Sequence, residues 1–235
     1  MSAKIIAIAN QKGGTGKTTV SMGIAGTLAH RGHRVLIIDA DRQGSATRWA
    51  ATAPDETPFP ATVAGLSAAG EKVHREVKKY VDDYDFIVID CPPAVESPVP
   101  MSALMIADLA LIPVIPSPPD LWAAIGIREL LGNVRDSINE SIKARLVANM
   151  CQPNTEVARE ALDVLREFGI ELAATRLHLR TAHRQAAAYG RTVHDIAKGS
   201  PAAMELDALT DEVLALLGNA RKETQHEHAT AAANG

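Results

Sequence analysis

The sequence has little cysteine, few aromatic residues and no long apolar run. Its 235 residues contain two cysteines, Cys91 and Cys151, whose spacing argues against a disulfide framework, a zinc site or an iron–sulfur cluster. Aromatic residues make up 3%, which argues against stacking nucleic-acid bases on an aromatic platform. Without a long apolar segment, we expect neither a signal peptide nor a membrane-spanning helix.

An excess of positive charge is also missing. The net charge is −4 and the isoelectric point is near 6.1, which is not typical of a protein that coats DNA. Hydrophobic residues make up 46%, mostly aliphatic, as in a chain with a sizeable core. The length predicts one domain over residues 1–218, and residues 219–235 lack a packing stripe and predict a disordered tail.

Apolar runs alternate with helix-like segments along the chain. We predict strands near 4–9, 34–39, 59–63, 85–90, 109–115, 144–149 and 171–175. We predict helices near 17–30, 44–52, 71–81, 98–107, 120–137, 155–168, 181–188 and 201–217. The alternation favours an α/β fold, a doubly wound and mostly parallel sheet with helices on both faces.

A glycine-rich segment follows the first apolar run. It predicts a phosphate-binding loop, because glycines let backbone N–H groups surround a polyphosphate and the next helix adds its positive end. The predicted nucleotide contacts are Lys12, Gly13, Gly14, Thr15, Gly16, Lys17, Thr18 and Thr19. Lys17 is placed to reach the β- and γ-phosphates and Thr18 to ligate Mg²⁺. Gln11 replaces the usual first glycine, and Lys12 adds a second lysine to the loop.

Acidic residues end two further apolar runs, Val35–Asp39 and Phe86–Asp90. Ligands of open α/β sheets bind at the carboxyl ends of the strands, so these acids are candidates for the same site. Asp41 follows two residues after Asp39. The alternative for Asp39 and Asp41 is that they only cap the next helix.

Three segments together resemble the ParA family of DNA-partition ATPases. They are residues 11–19, residues 39–44 (Asp-Ala-Asp-Arg-Gln-Gly) and residues 90–93 (Asp-Cys-Pro-Pro). This family belongs to the deviant Walker A class of P-loop NTPases, with the MinD cell-division ATPases and the nitrogenase iron protein. The resemblance runs from Lys4 to about Leu217. Residues 112–121 are similar to the small plasmid-type members, whereas Arg42 stands where the family has proline.

The resemblance implies a slow, Mg²⁺-dependent ATPase with ATP and Mg²⁺ as cofactors. Lys17 and the loop amides would neutralise phosphate charge during hydrolysis. Asp41 would orient the attacking water, Asp39 would support the metal shell, and Asp90 would act on the metal through water. Lys12 would reach across a homodimer interface to the partner's nucleotide, so that ATP is sandwiched between two copies.

Asn149 closes a predicted strand on the same side of the sheet. Its amide offers both a donor and an acceptor, which suits the edge of adenine. A simple turn role is the alternative.

A basic segment lies near the carboxyl end, over residues 176–198. Its candidate DNA contacts are Arg176, Arg180, Arg184 and Arg191, and its only acid is Asp195. Such a stripe can hold a phosphate backbone without reading sequence, and ParA proteins bind nonspecific DNA through this region. An ordinary solvated surface is the alternative.

By resemblance, we expect a cytoplasmic, nucleoid-associated DNA-segregation ATPase stimulated by a ParB-like centromere-binding protein. A membrane-cycling ATPase like MinD is the main alternative, but residues 226–235 offer only alanines and small polar groups, not an amphipathic anchor, so we expect no membrane partner. An iron–sulfur reductase would need paired cysteines. A non-enzymatic nucleotide-gated scaffold fits poorly with an intact Asp41.

Overall fold

The computed structural model describes residues 2–93, 97–152 and 156–218. Its strands are β1 (Lys4–Ile8), β2 (Val35–Asp39), β3 (Thr62–Gly65), β4 (Phe86–Asp90), β5 (Leu109–Val114) and β6 (Lys143–Ala148). Its α-helices are α1 (Lys17–His30), α2 (Ser45–Ala51), α3 (Val73–Val77), α4 (Val99–Leu104), α5 (Pro118–Ser137), α6 (Glu156–Arg166), α7 (Thr181–Ala188), α8 (Val193–Ile196) and α9 (Pro201–Leu216). The expected tail, residues 219–235, lies outside the described residues.

The six strands form one sheet in the order β3-β2-β4-β1-β5-β6, and every pairing is parallel. In β1, Ile6 pairs with Val88 of β4 on one side and with Leu109 of β5 on the other. The carboxyl ends of the strands therefore meet at one edge, where the loop after β1 lies between the ends of β4 and β5. This confirms the predicted parallel α/β sheet.

Alternate residues of the strands pack into two separate hydrophobic cores, one on each face of the sheet. In β1, Ile6 and Ile8 pack into the core that α1 and α9 cover, whereas Ile5 and Ala7 pack into the core of α3–α6. Burial on both faces explains why the strands are continuous apolar runs. The predicted doubly wound arrangement is confirmed. In the described parts of the chain, no helix is long and apolar enough to cross a membrane.

Several predicted elements differ from the structure. The strand expected near 59–63 lies at Thr62–Gly65, and the helix expected near 98–107 ends at Leu104. The strand expected near 171–175 is reduced to a single bridge between Leu146 and Leu172, because the backbone N–H groups of Ala174 and Thr175 donate to the Glu212 carboxylate instead. The helix expected over 71–81 is broken into a 3-10 segment (Ser67–Lys72), α3 and a second 3-10 segment (Lys78–Tyr80). The short helix α8 was not predicted.

Candidate functional site

The loop between β1 and α1 depends on glycine. Gly14 and Gly16 have φ angles of 77° and 84°, in the left-handed region. A Cβ at Gly16 would lie 2.3 Å from Asn149 Nδ2, so packing also demands glycine there. Asn149 Nδ2 donates to the Thr15 carbonyl at 2.8 Å. Through this hydrogen bond, Asn149 supports the phosphate loop. A contact between Asn149 and adenine stays a prediction.

The first turn of α1 is suited to an anion. Gly16 is the N-cap and has no side chain to satisfy the exposed N–H groups, and the turn carries no acidic residue. Thr15 Oγ1 is buried and has no hydrogen-bond partner among the described residues. Free donors at the positive end of a helix dipole are the chemistry that a polyphosphate requires.

Lys17 is mostly buried and donates from Nζ to the Lys12 carbonyl at 3.0 Å. Burial lowers the pKa of Lys17, and the nearby Asp90 carboxylate opposes that shift. In this position Lys17 holds the loop in its curved shape. A phosphate entering the loop would offer the ammonium group a charged acceptor in place of a carbonyl.

Asp90 is fully enclosed at the end of β4. Its Oδ2 accepts from Thr18 Oγ1 at 2.7 Å and its Oδ1 from Ser21 Oγ at 3.0 Å. Burial raises the pKa of Asp90 to about 7, although both hydroxyl donors pull it down. Sequence reasoning missed Ser21, which lies one helical turn after Thr18 on the same face of α1.

These oxygens fit a magnesium ion bound with the nucleotide. Mg²⁺ prefers oxygen ligands and keeps several waters, so a Thr18 hydroxyl with a water-mediated Asp90 is an appropriate donor set. A cation there would also favour the charged form of the buried Asp90. The described residues contain no cluster of three His, Cys, Asp or Glu side chains that could hold a metal by themselves.

Asp39 organises the loop that carries Asp41. Its Oδ1 accepts from the Asp41 backbone N–H at 3.3 Å, and its Oδ2 accepts from the backbone N–H and the hydroxyl of Thr47 at 2.8 and 2.9 Å. Asp39 therefore caps the first turn of α2, which was the alternative for this residue. Its support of a metal stays a prediction, since both of its oxygens are engaged.

Asp41 lines the open pocket. One of its oxygens accepts from the Gln43 backbone N–H at 2.9 Å, which closes the turn before α2. The pocket has a volume of about 750 Å³, large enough for a nucleotide. It is lined by Gly13, Gly14, Gly16, Lys17, Thr18, Thr19, Asp41, Arg42, Pro92, Pro93 and Met150, among others.

The ammonium group of Lys12 makes a different contact from that of Lys17. Its Nζ lies 2.9 Å from Asp120 Oδ1, at the start of α5. The Lys12 side chain is 39% exposed, whereas that of Asp120 is 6% exposed. Of the two lysines in this loop, Lys17 thus lines the pocket, whereas Lys12 contacts the start of α5. The pairing of Lys12 with Asp120 was not predicted from the sequence.

Two arginines of the basic segment are already paired within the chain. Glu205 accepts from Arg180 Nε and Nη2 at 3.1 and 2.5 Å, and from the backbone and Nδ1 of His178. Arg191 Nε lies 3.8 Å from Asp195 Oδ2. Burial alone would raise the pKa of Glu205, but the bonds from Arg180 and His178 outweigh burial and lower it.

Arg176 and Arg184 are exposed, as is Lys198. A role for the four predicted arginines in DNA binding stays a prediction. The geometry divides them into two exposed cations and two that are partly neutralised by carboxylates.

Comparison with known proteins identifies the family. Residues 6–193 match the CobQ/CobB/MinD/ParA nucleotide binding domain. The chain is 34% identical over 210 residues to a Maintenance of carboxysome distribution protein A of Halothiobacillus neapolitanus, covering 89% of this chain and 95% of that protein. It is 29% identical over 237 residues to the chromosome-partitioning ATPase Soj of Thermus thermophilus, covering 89% and 95%.

The fold is shared with solved structures. A Cyanothece McdA–ATP complex superposes with a TM-score of 0.76 at 19% identity, covering 93% of this chain and 98% of that one. With a phosphate loop at the sheet edge and a family match over most of its length, this chain belongs to the CobQ/CobB/MinD/ParA nucleotide-binding family and is a ParA-type P-loop ATPase.

Proposed function

We propose that this chain is a DNA-partition ATPase that dimerises with ATP and binds DNA without sequence preference. A cargo-bound partner stimulates its ATP hydrolysis. ATP and Mg²⁺ are its cofactors. The observation that carries the proposal is the loop with two lysines, one in the nucleotide pocket and one outside it. We place the ATPase in the cytoplasm on the nucleoid.

Hydrolysis is assigned to residues that line or border the pocket. Lys17 and the N–H groups of the loop neutralise the phosphates, and Thr18 with Asp90 would hold a Mg²⁺ ion, which would offset phosphate charge. Asp41 positions the attacking water, because it is the acid that lines the open part of the pocket. Asp39 keeps Asp41 in place through the turn described above.

Dimerisation is assigned to Lys12. Its ammonium group is half-exposed at the rim of the loop, so a second copy facing this edge could present its own nucleotide to it. Two such contacts, related by a two-fold axis, would make ATP part of the interface. ADP lacks the γ-phosphate and would hold the dimer less well.

DNA binding is assigned to the exposed cations Arg176 and Arg184, with smaller contributions from the paired Arg180 and Arg191. Few cations per monomer give weak binding, and a dimer doubles them on one surface. DNA affinity should then follow the nucleotide state. The partner that stimulates hydrolysis is a ParB-like centromere-binding protein in this proposal.

A second candidate differs only in the cargo. The relative from Halothiobacillus neapolitanus is named for carboxysome distribution, which favours positioning a protein compartment instead of DNA. Deleting the gene distinguishes the two. Loss of a replicon from daughter cells supports partition, whereas stable replicons with a clustered protein compartment support the second candidate.

The biochemical test is a fluorescence anisotropy titration with two unrelated duplexes. We expect tighter binding with ATP than with ADP, equal affinity for both duplexes and a steep loss with added salt. Arg184→Ala removes one cation from each protomer, so it should lower the magnitude of the salt slope by about two for the ATP-bound dimer. Lys79→Ala, an exposed lysine on the other side of the sheet, is the matched control. Equal affinity in ATP and ADP would refute gating by the nucleotide.

A further inference from the structure

The ion pair between Lys12 and Asp120 is unlike a usual surface pair. Asp120 is buried to 4% exposure, and its second oxygen, Oδ2, accepts from Ser117 Oγ at 2.5 Å. Exposed ion pairs contribute little because water competes for both charges. A carboxylate that is almost fully buried depends much more on the cation that reaches it.

The first half of the phosphate loop also contacts β5 and α5, the part of the chain that carries Asp120. Asn10 Nδ2 donates to the Pro113 carbonyl at 2.7 Å, and Asn10 Oδ1 accepts from the Lys12 backbone N–H at 3.3 Å. The side chain of Gln11 lies against Gly126 of α5, where a Cβ would come within 1.9 Å of Gln11 Nε2. Lys12 is therefore held toward α5 by its backbone as well as by its charge.

Two further interactions of the Asp120 carboxylate do not depend on Lys12. Asp120 is the third residue of α5, where the helix dipole stabilises a negative charge, and Ser117 donates to it. Breaking the pair would leave a buried charge with one hydroxyl and the helix end. The pair consequently favours the conformation in which Lys12 stays on its own chain.

We propose that Asp120 is a positioning residue that holds Lys12 on its own chain in the nucleotide-free monomer and opposes its contact with a partner's nucleotide. This inference rests on the proposed function of Lys12 in the dimer. When two copies meet around ATP, each Lys12 exchanges one carboxylate for phosphate oxygens. Asp120 thereby raises the ATP occupancy needed for dimerisation.

Asp120→Asn removes the charge and keeps the size of the side chain. We expect it to lower the dimer dissociation constant about five- to tenfold with a non-hydrolysable ATP analogue, measured by sedimentation equilibrium. With ADP the variant should stay monomeric like the wild type, because the γ-phosphate is still missing. Glu76→Gln, which neutralises an exposed ion pair with Lys79, is the matched control and should change nothing.

A double variant separates positioning from a structural effect. If Asp120 acts through Lys12, Lys12→Ala with Asp120→Asn should dimerise no better than Lys12→Ala alone. A thermal melt checks that α5 is intact, and Asp120→Ser, which retains a polar group at the helix start, replaces Asp120→Asn if that variant unfolds.

The outcomes are distinct. Unchanged or weaker dimerisation of the folded Asp120 variant would overturn the inference, and so would a gain that persists without Lys12. If the wild type itself does not dimerise with the ATP analogue, the proposed function fails, not only the role of Asp120.

Discussion

Asp90 should destabilise the nucleotide-free protein at neutral and alkaline pH. The carboxyl group has a pKa near 7 in the folded chain because it is buried, whereas its ordinary value is 3.8. Between these two values the folded chain keeps a proton that the unfolded chain has lost. Its contribution to stability is therefore present at low pH and is lost as the pH rises toward and through 7.

The magnitude follows from the shift. Each pKa unit corresponds to about 1.4 kcal/mol, and pH 5 lies about two units below the folded pKa, so titration between pH 5 and pH 8 should cost the folded state about 3 kcal/mol through this group. Asp90→Asn is neutral at every pH and of similar shape. It should equal or exceed the wild type in free energy of unfolding at pH 8, and the difference should fall by about 3 kcal/mol at pH 5.

Urea unfolding with a metal chelator at pH 5, 6.5 and 8 measures this difference. Glu76→Gln serves as a control whose difference from the wild type should stay nearly constant. A difference for Asp90→Asn that does not change with pH would refute the reasoning. It would mean that Thr18 and Ser21 solvate the carboxylate well enough to keep its pKa low.

Two predictions concern the chemistry of the pocket. Lys17→Ala should abolish tight binding of a fluorescent ATP analogue, because it removes the main charge facing the phosphates, and retained affinity would contradict its role. Asp41→Ala should slow ATP hydrolysis about 10²- to 10⁴-fold and accumulate an ATP-bound dimer, as measured by phosphate release and sedimentation. Hydrolysis at the wild-type rate would reduce Asp41 to the turn-closing contact with Gln43.

The fold and the phosphate site could be predicted because their signals are local. Continuous apolar runs mark strands buried on both faces, and the loop of residues 11–19 carries its glycines and lysines in one segment. Asp90 could be predicted because it ends an apolar run, and Asp41 because it lies two residues after the end of another. The structure adds Ser21, whose spacing from Thr18 on one helix face was available in the sequence but was not used.

The remaining parts depend on contacts between distant segments. The partner of Lys12 is Asp120, more than 100 residues away, and no local pattern indicates that pair. Within the basic segment the sequence shows a single acid, Asp195, yet Glu205 on α9 pairs with Arg180. Asp39 was ambiguous because an acid after a strand serves equally as a cap or as a metal support, and only Thr47 on α2 shows the capping contact.

The central claim is that Lys12 makes ATP part of a dimer interface, and the molar mass in solution tests it most directly. Multi-angle light scattering with Mg²⁺ and a non-hydrolysable ATP analogue should give a dimer for the wild type and a monomer for Lys12→Ala. A binding titration should show that this variant still takes up the nucleotide. A Lys12→Ala protein that dimerises as the wild type does would contradict the account.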